Sequence, residues 1–471
     1  MIDDDKISTA VQTRNKLLRW QAEVPLSRTL RMARMLRRVA VVGAGAAGLC
    51  AARHILSRPN TFTRPVVFEL SDNVGGTWCY EERVSTHDNR PPVHSSMYRD
   101  LRTNLPKEVM MFPDFPFDPE LGSFLPHQEV QKYLLRYCES HGIRPHIRFN
   151  TVVENVKPVA VAAGDGGETT MWEVTSSESP GCRKTETFDS VFVCVGHYSD
   201  PHIPNVPGIQ NFKGKVLHSH SYRFAEPFSG QSVVVLGAKA SGLDISCELA
   251  KVGAEVTLSH RGPRLSVPLP TGIRQSSTVV AIEDDGRIRF QDGSVCGADV
   301  LLFCTGYNFS FPFLDADRLG LDIQDHSVSP LYHFLFPPAF PSLIFIGICK
   351  LICPFPNFNC QVQFALAVLD GSVTLPPRSQ MEDEVLREQR EKLQSGVQQR
   401  HLLVLQHTQW DYCQMLARTA GFAPLPAVVC SLYEEVWRQR RIHPQNYRRL
   451  NYRLVSDSEW RQSDGETLTV S

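Results

Sequence analysis

Three glycines spaced Gly43-x-Gly45-x-x-Gly48 are the residues of this 471-residue chain whose types and intervals most directly imply chemistry. They suit a diphosphate cradle. Gly43 permits a tight turn, Gly45 lets a pyrophosphate reach the backbone, and Gly48 lets a helix pack closely on a strand. About twenty residues further on, Glu69 ends the apolar run Val66-Val67-Phe68, where a carboxylate accepts hydrogen bonds from both ribose hydroxyls of an adenosine. A second set follows the same plan at Gly237-Ala238-Lys239-Ala240-Ser241-Gly242. Here Ser259-His260-Arg261 stands where the acid stood, and an Arg fork suits the 2′-phosphate of NADP. Lys239 replaces the middle glycine. Its side chain either obstructs close backbone approach or binds phosphate as a point charge.

These residues need strands and helices to hold them. The run Arg38–Val42 is β-branched and apolar, the pattern of a buried parallel strand, and Ala/Leu-rich helical sequence follows Gly48. The helix start would offer free N–H groups and a positive dipole end to phosphates. The second set predicts a strand over Ser232–Leu236, a helix over Leu243–Lys251 and strands over Glu255–Leu258 and Ala298–Tyr307. Further strands are expected at Ile147–Asn155, Thr170–Thr175, Phe188–Gly196 and Pro341–Gly347, with helices at His127–His141 and Asn359–Asp370. Gly164–Glu168 reads as a turn, and Pro91–Pro126 as a long, ordered, irregular segment. The charged stretch Met381–Arg400 reads as a helix with a solvated face.

The totals exclude several classes. A net charge of −1 gives no bulk attraction to nucleic acid or anionic membranes. Thirteen scattered cysteines, with Cys194, Cys304 and Cys349 inside apolar runs, fit a reduced chain and not a disulfide framework. No run approaches the ~20 apolar residues that span a bilayer. Residues 1–37 begin acidic and turn Arg-rich without an apolar core. They read as a solvated extension and not a secretory signal, with a mitochondrial presequence as the lesser alternative; the expected location is cytoplasmic.

The segment Phe212-Lys213-Gly214-Lys215-Val216-Leu217-His218-Ser219-His220-Ser221-Tyr222 resembles the F-x-G-x-x-x-H-x-x-x-Y/F linker of the flavin-containing monooxygenase family, and the chain is most similar to its soluble, S-oxygenating glucosinolate-oxygenase-like branch. The resemblance runs from about Arg38 to Arg449. It implies that Thr77 and Trp78 of Gly75-Gly76-Thr77-Trp78 line FAD, that His94 stands near the cofactor, and that Asn104 is the active-site asparagine. It further implies that Gln361 contacts flavin and that Thr305-Gly306-Tyr307 is the family's T-G-Y segment. His218 is read as part of a domain joint without a proton-transfer role.

The expected architecture is α/β, with two Rossmann-like dinucleotide-binding domains and the NADP domain inserted into the FAD domain. Its bounds are 38–208 and 330–450 for FAD, 209–329 for NADP, and a polar tail over 451–471. The resemblance implies FAD and NADPH as cofactors. Reduced flavin would take O2 to a C4a-hydroperoxide that oxygenates a small sulfide or amine, with Asn104 orienting the oxygen. No metal, nucleic acid or transmembrane partner is expected, and homodimerisation stays open. Rival readings are a Baeyer–Villiger monooxygenase, whose linker ends in Trp where this chain has Tyr222, and a flavin-binding pseudoenzyme. A disulfide reductase would need a redox cysteine pair, but Cys79 stands alone after Trp78.

Overall fold

The computed structural model describes residues 36–84, 94–162, 168–178, 181–266 and 269–463. The expectations for the N-terminal extension up to residue 35 and for residues 464–471 lie outside them, as does most of the Gly164–Glu168 turn.

Val39–Val42 is a four-residue strand with every side chain buried, because helices and a second layer cover both faces of its sheet. Val39 and Val41 enter one core and Ala40 and Val42 the other, the period-2 alternation of a strand. Five parallel strands form this sheet in the order Leu343–Phe345, Ser190–Val193, Val39–Val42, Val66–Phe68, Ile147–Arg148. A second sheet, also five-stranded and parallel, runs Lys215–His218, Val300–Phe303, Ser232–Leu236, Glu255–Ser259, Ile273–Ser276.

The two sheets correspond strand for strand, with each glycine-bearing strand at the centre. They differ in where the outermost strand beside Ser190–Val193 or Val300–Phe303 comes from. The second sheet takes it from the linker, Lys215–His218. The first takes it from the chain's return, Leu343–Phe345. This is an inserted Rossmann unit. Gly214 is required at the joint: a Cβ there would lie 2.2 Å from the Asp299 carbonyl oxygen.

The helices Ala46–Leu56, His127–Ser140, Pro354–Asp370 and Gln409–Ala420 contribute to one core against the first sheet. Its other face is covered by the antiparallel sheet Val152–Ala162, Glu168–Ser177, Arg183–Phe188, through Trp172, Val174 and Phe188. Two expected helix starts shift. Asn359–Asp370 begins at Pro354, since proline is tolerated in a first turn, and Leu243–Lys251 begins at Ala240. The charged helix is Arg378–Gln394, buried only at Met381 and Val385.

The expected polar tail is partly structured. Asn451–Leu454 pairs antiparallel with Trp460–Ser463, and Tyr452 is buried beside Phe124 and the helix Ala427–Ile442. Tyr452 and Trp460 supply the apolar side that anchors the hairpin.

Candidate functional site

Both glycine turns have the same atomic plan. Gly43 donates its N–H to Phe68 O at 2.8 Å, and Gly237 donates to Ser259 O at 2.8 Å. Gly43 has φ +104° and Gly237 φ +114°, in the region that favours glycine. A Cβ on Gly48 would lie 1.8 Å from Gly43 O, and one on Gly242 1.7 Å from Gly237 O. Each turn therefore lets a helix start directly above the strand end. The helix Ala46–Leu56 has no side-chain N-cap and no acid in its first turn, and the same holds for Ala240–Lys251. Their first N–H groups are presented to whatever approaches, which fits a diphosphate at each. Ser241 is half-buried in the first turn of the second helix.

Gly45 behaves differently. Its notional Cβ meets nothing closer than Gly76 Cα at 3.5 Å, so its protein neighbours do not demand a glycine. The Gly75-Gly76 turn lies against it, with Gly75 N–H donating to Ala44 O at 3.1 Å. From there the 3-10 turn Gly76–Trp78 leaves Thr77 and Trp78 half-buried. Ser95 donates to Thr77 O at 2.8 Å, and the Thr77 and Ser96 hydroxyls lie 3.3 Å apart.

Glu69 is 7% exposed and already engaged. Oε2 accepts from Ala44 N–H at 2.7 Å, and Oε1 accepts from the Ser71 N–H and hydroxyl at 2.9 and 2.7 Å. A carboxylate offers about four acceptor positions, so the two ribose bonds expected from sequence narrow to about one. His94 lies near enough to feel the Glu69 charge; burial lowers its pKa and Glu69 opposes this.

Asn104 is half-buried, and among the described residues its amide has no hydrogen-bond partner. Its neighbours are held firmly. Thr103 N–H donates to Leu125 O at 2.8 Å, Thr103 Oγ1 accepts from Leu125 N–H at 3.0 Å, and Arg448 Nε donates to Thr103 O at 3.1 Å. Leu105 is buried among Phe124, Tyr433 and Tyr447. An amide that is available on a backbone this fixed is what a positioned donor requires.

Gln361 does not present a free amide. It is fully buried: its Oε1 accepts from Gly347 N–H at 3.0 Å, and its Nε2 donates to the Tyr412 hydroxyl at 3.0 Å. Its visible work is bracing the loop after Leu343–Phe345. Arg261 is exposed and has no partner among the described residues, whereas Ser259 is consumed by the fold through Ser277 O and Val279 N–H. Cys349 and Cys353 are buried as packed thiols, and burial raises both pKa values.

The two units meet through linker residues. Tyr307-Asn308 pairs with Asp200-Pro201, and the Tyr307 hydroxyl meets Ser219 and Ser96, with burial pushing its pKa to about 12. His218 Nδ1 accepts the His220 N–H at 3.0 Å, and burial brings its pKa to about 4, so the ring is neutral at pH 7. Sequence reasoning missed a latch in which Asp244 is bound by Tyr98 and by Arg448 at 2.5 Å, while Glu248 Oε2 accepts from the Tyr222 hydroxyl at 2.8 Å. No local pattern announces it, because its members come from four distant segments.

Burial, with Asp244 adding to it, raises the Glu248 pKa from 4.5 to about 7. The folded state then holds a proton that the unfolded state has lost, so stability falls as pH rises from 4.5 through 7. Glu248→Gln should gain about 1–2 kcal/mol over the parent at pH 8, after allowance for solvent screening, and little at pH 4.5. Thermal melts across that range check this. A residual slope should remain, because Glu108 is raised to about 7 as well.

Two like units, each ending a central strand in an uncapped helix over a glycine turn, have the geometry of a protein with two dinucleotide sites. A family model described as "Flavin-binding monooxygenase-like" matches residues 36–267 and 269–469. The flavin-containing monooxygenase FMO GS-OX4 of Arabidopsis thaliana is 36% identical over 445 residues, 90% of this chain and 92% of that protein. FMO GS-OX-like 2 of the same plant is 40% identical over 426 residues, 86% and 88% of the two chains. The structure of S-allyl-L-cysteine S-oxygenase from Allium sativum superposes with a TM-score of 0.79 at 36% identity, covering 88% of this chain and 96% of that one. The chain belongs to the flavin-binding monooxygenase-like family and is an FAD- and NADPH-dependent oxidoreductase. No helix among the described residues is long and apolar enough to cross a membrane.

Proposed function

We propose that this monooxygenase transfers one oxygen atom of O2 to a soft nucleophile, a sulfide before an amine, with FAD on the first cradle and NADPH on the second. The observation that carries this reading is the doubled cradle, supported by an Asn104 amide with no partner among the described residues. When bound, the two cofactors supply the redox chemistry: hydride from the nicotinamide and activation of O2 by reduced flavin.

The chain's own residues bind and orient. The helix starts at Ala46 and Ala240 face the diphosphates, and Glu69 retains capacity for a ribose hydroxyl. Thr77 and Trp78 line the flavin edge and keep water from it. The Asn104 amide holds the reacting oxygen by a hydrogen bond that needs no reorganisation. A soft nucleophile brings its own lone pair, so no general base is required. The S-oxygenase relative favours sulfur over nitrogen as the acceptor. NADPH, O2 and either an S-alkyl cysteine or a tertiary amine, followed by mass spectrometry, test this. A sulfoxide formed faster than an amine oxide is expected. Peroxide alone, or an amine oxide formed faster than the sulfoxide, would overturn the assignment.

A further inference from the structure

The second cradle is surrounded by positive charge that its strand–turn–helix plan does not require. Lys239 stands at the N-cap of Ala240–Lys251, where the first cradle has Gly45, and its side chain caps nothing. Lys350 lies on the loop after Leu343–Phe345. Its backbone is stapled to the segment that follows the charged helix: Lys350 N–H donates to Leu403 O at 2.8 Å, and Leu405 N–H donates to Lys350 O at 3.1 Å. The staple holds the turn Gln399–His401 over this edge, so that Arg400 and Lys239 come within electrostatic reach of each other.

The Lys350 ammonium sits 4.5 Å over the Phe309 ring and donates to His326 O at 3.3 Å. Partial burial, with Lys239 nearby, lowers its pKa to about 8. His401 feels Lys239, Arg400 and Lys350 together, and His326 feels Lys350. Among the described residues none of Lys239, Lys350 and Arg400 forms a salt bridge. Asp325, the acid felt by His326, lies 3.7 Å from His202. Three cations gathered from separate segments repel one another unless an anion joins them. Lys239 stands at the helix start where a pyrophosphate approaches, with Arg400 and Lys350 within its electrostatic reach, whereas Arg261 lies at the end of the neighbouring strand, the place for a 2′-phosphate.

We propose that Lys239, Lys350 and Arg400 form a clamp on the diphosphate of the nicotinamide dinucleotide, with Lys239 from the inserted unit and the other two from the returning chain. The proposal rests on the reading that the second unit takes NADPH. The dinucleotide then ties the two units together through its own charge, and Lys239 substitutes an ammonium for the backbone approach that a glycine would allow.

Binding without turnover tests it. NADP+ and NAD+ are titrated calorimetrically into FAD-loaded protein at low and high salt. Lys239→Ala and Arg400→Gln should each weaken both dinucleotides about tenfold, the loss expected for one charge-assisted hydrogen bond. Both variants should also flatten the salt dependence, and Lys239→Arg should restore it. Arg261→Ala should weaken NADP+ alone. Unchanged flavin absorbance and melting temperature certify that each variant is folded. Wild-type affinity for both dinucleotides in Lys239→Ala, or a loss confined to NADP+, would overturn the clamp while leaving the NADPH reading intact. A Lys239→Ala defect confined to calorimetric binding of a carboxylate-bearing sulfide would overturn it in favour of a substrate site. Parent protein that binds neither dinucleotide would overturn both.

Discussion

Gly45→Ala is expected to fold, to melt close to the parent protein and to purify colourless, while Gly48→Ala is expected to yield little soluble protein. The two glycines lie three residues apart and differ in what surrounds them. A Cβ on Gly45 would sit 3.5 Å from Gly76 Cα, an ordinary contact, so the fold tolerates it. The same methyl would occupy the backbone surface that a pyrophosphate must approach, and flavin content should fall at least about tenfold. A Cβ on Gly48 would be 1.8 Å from Gly43 O, a carbonyl fixed in the turn. The helix must lift from the strand, at a cost of roughly 3 kcal/mol or more. The flavin-to-protein absorbance ratio and a melting curve read both outcomes. Retained flavin in folded Gly45→Ala would refute the first cradle as the FAD site.

The second large effect concerns coupling. Asn104→Ala removes an amide that no described protein group uses, so stability should barely change. The loss falls on the reacting oxygen, where deleting one preorganised donor costs about 10²–10³ in rate. NADPH should still be consumed, with peroxide accumulating in place of oxygenated product. Product and peroxide measured per NADPH separate the two fates. A variant with the parent's product yield would remove Asn104 from the chemistry.

How much of this was legible in the chain follows from how local each feature is. Both cradles could be read because the turn, the close helix and the strand end are set within about ten residues of each other, and sterics force the glycines at Gly43, Gly48, Gly237 and Gly242. The insertion was legible through the linker, although not that Lys215–His218 would become the outermost strand of the second sheet. The hairpin within residues 451–463 was not legible in the polar tail, because Tyr452 and Trp460 are only two aromatics in polar sequence. Their burial depends on Phe124 and the helix Ala427–Ile442, far away in the chain. Gln361 falls at the expected position, yet its amide is taken by Gly347 and Tyr412, partners no pattern reveals. The Lys239, Lys350 and Arg400 cluster was invisible for the same reason. Only Lys239 departs from a motif, and the fold supplies the other two.

Anaerobic mixing of the FAD-loaded protein with NADPH probes the doubled cradle most directly, because hydride passes only if the nicotinamide reaches the flavin ring. The flavin absorbance should bleach in one turnover, and readmitted O2 with a thioether should return it while yielding one sulfoxide per NADPH consumed. A flavin that stays yellow under excess NADPH would contradict the reading of the two cradles as a working FAD and NADPH pair.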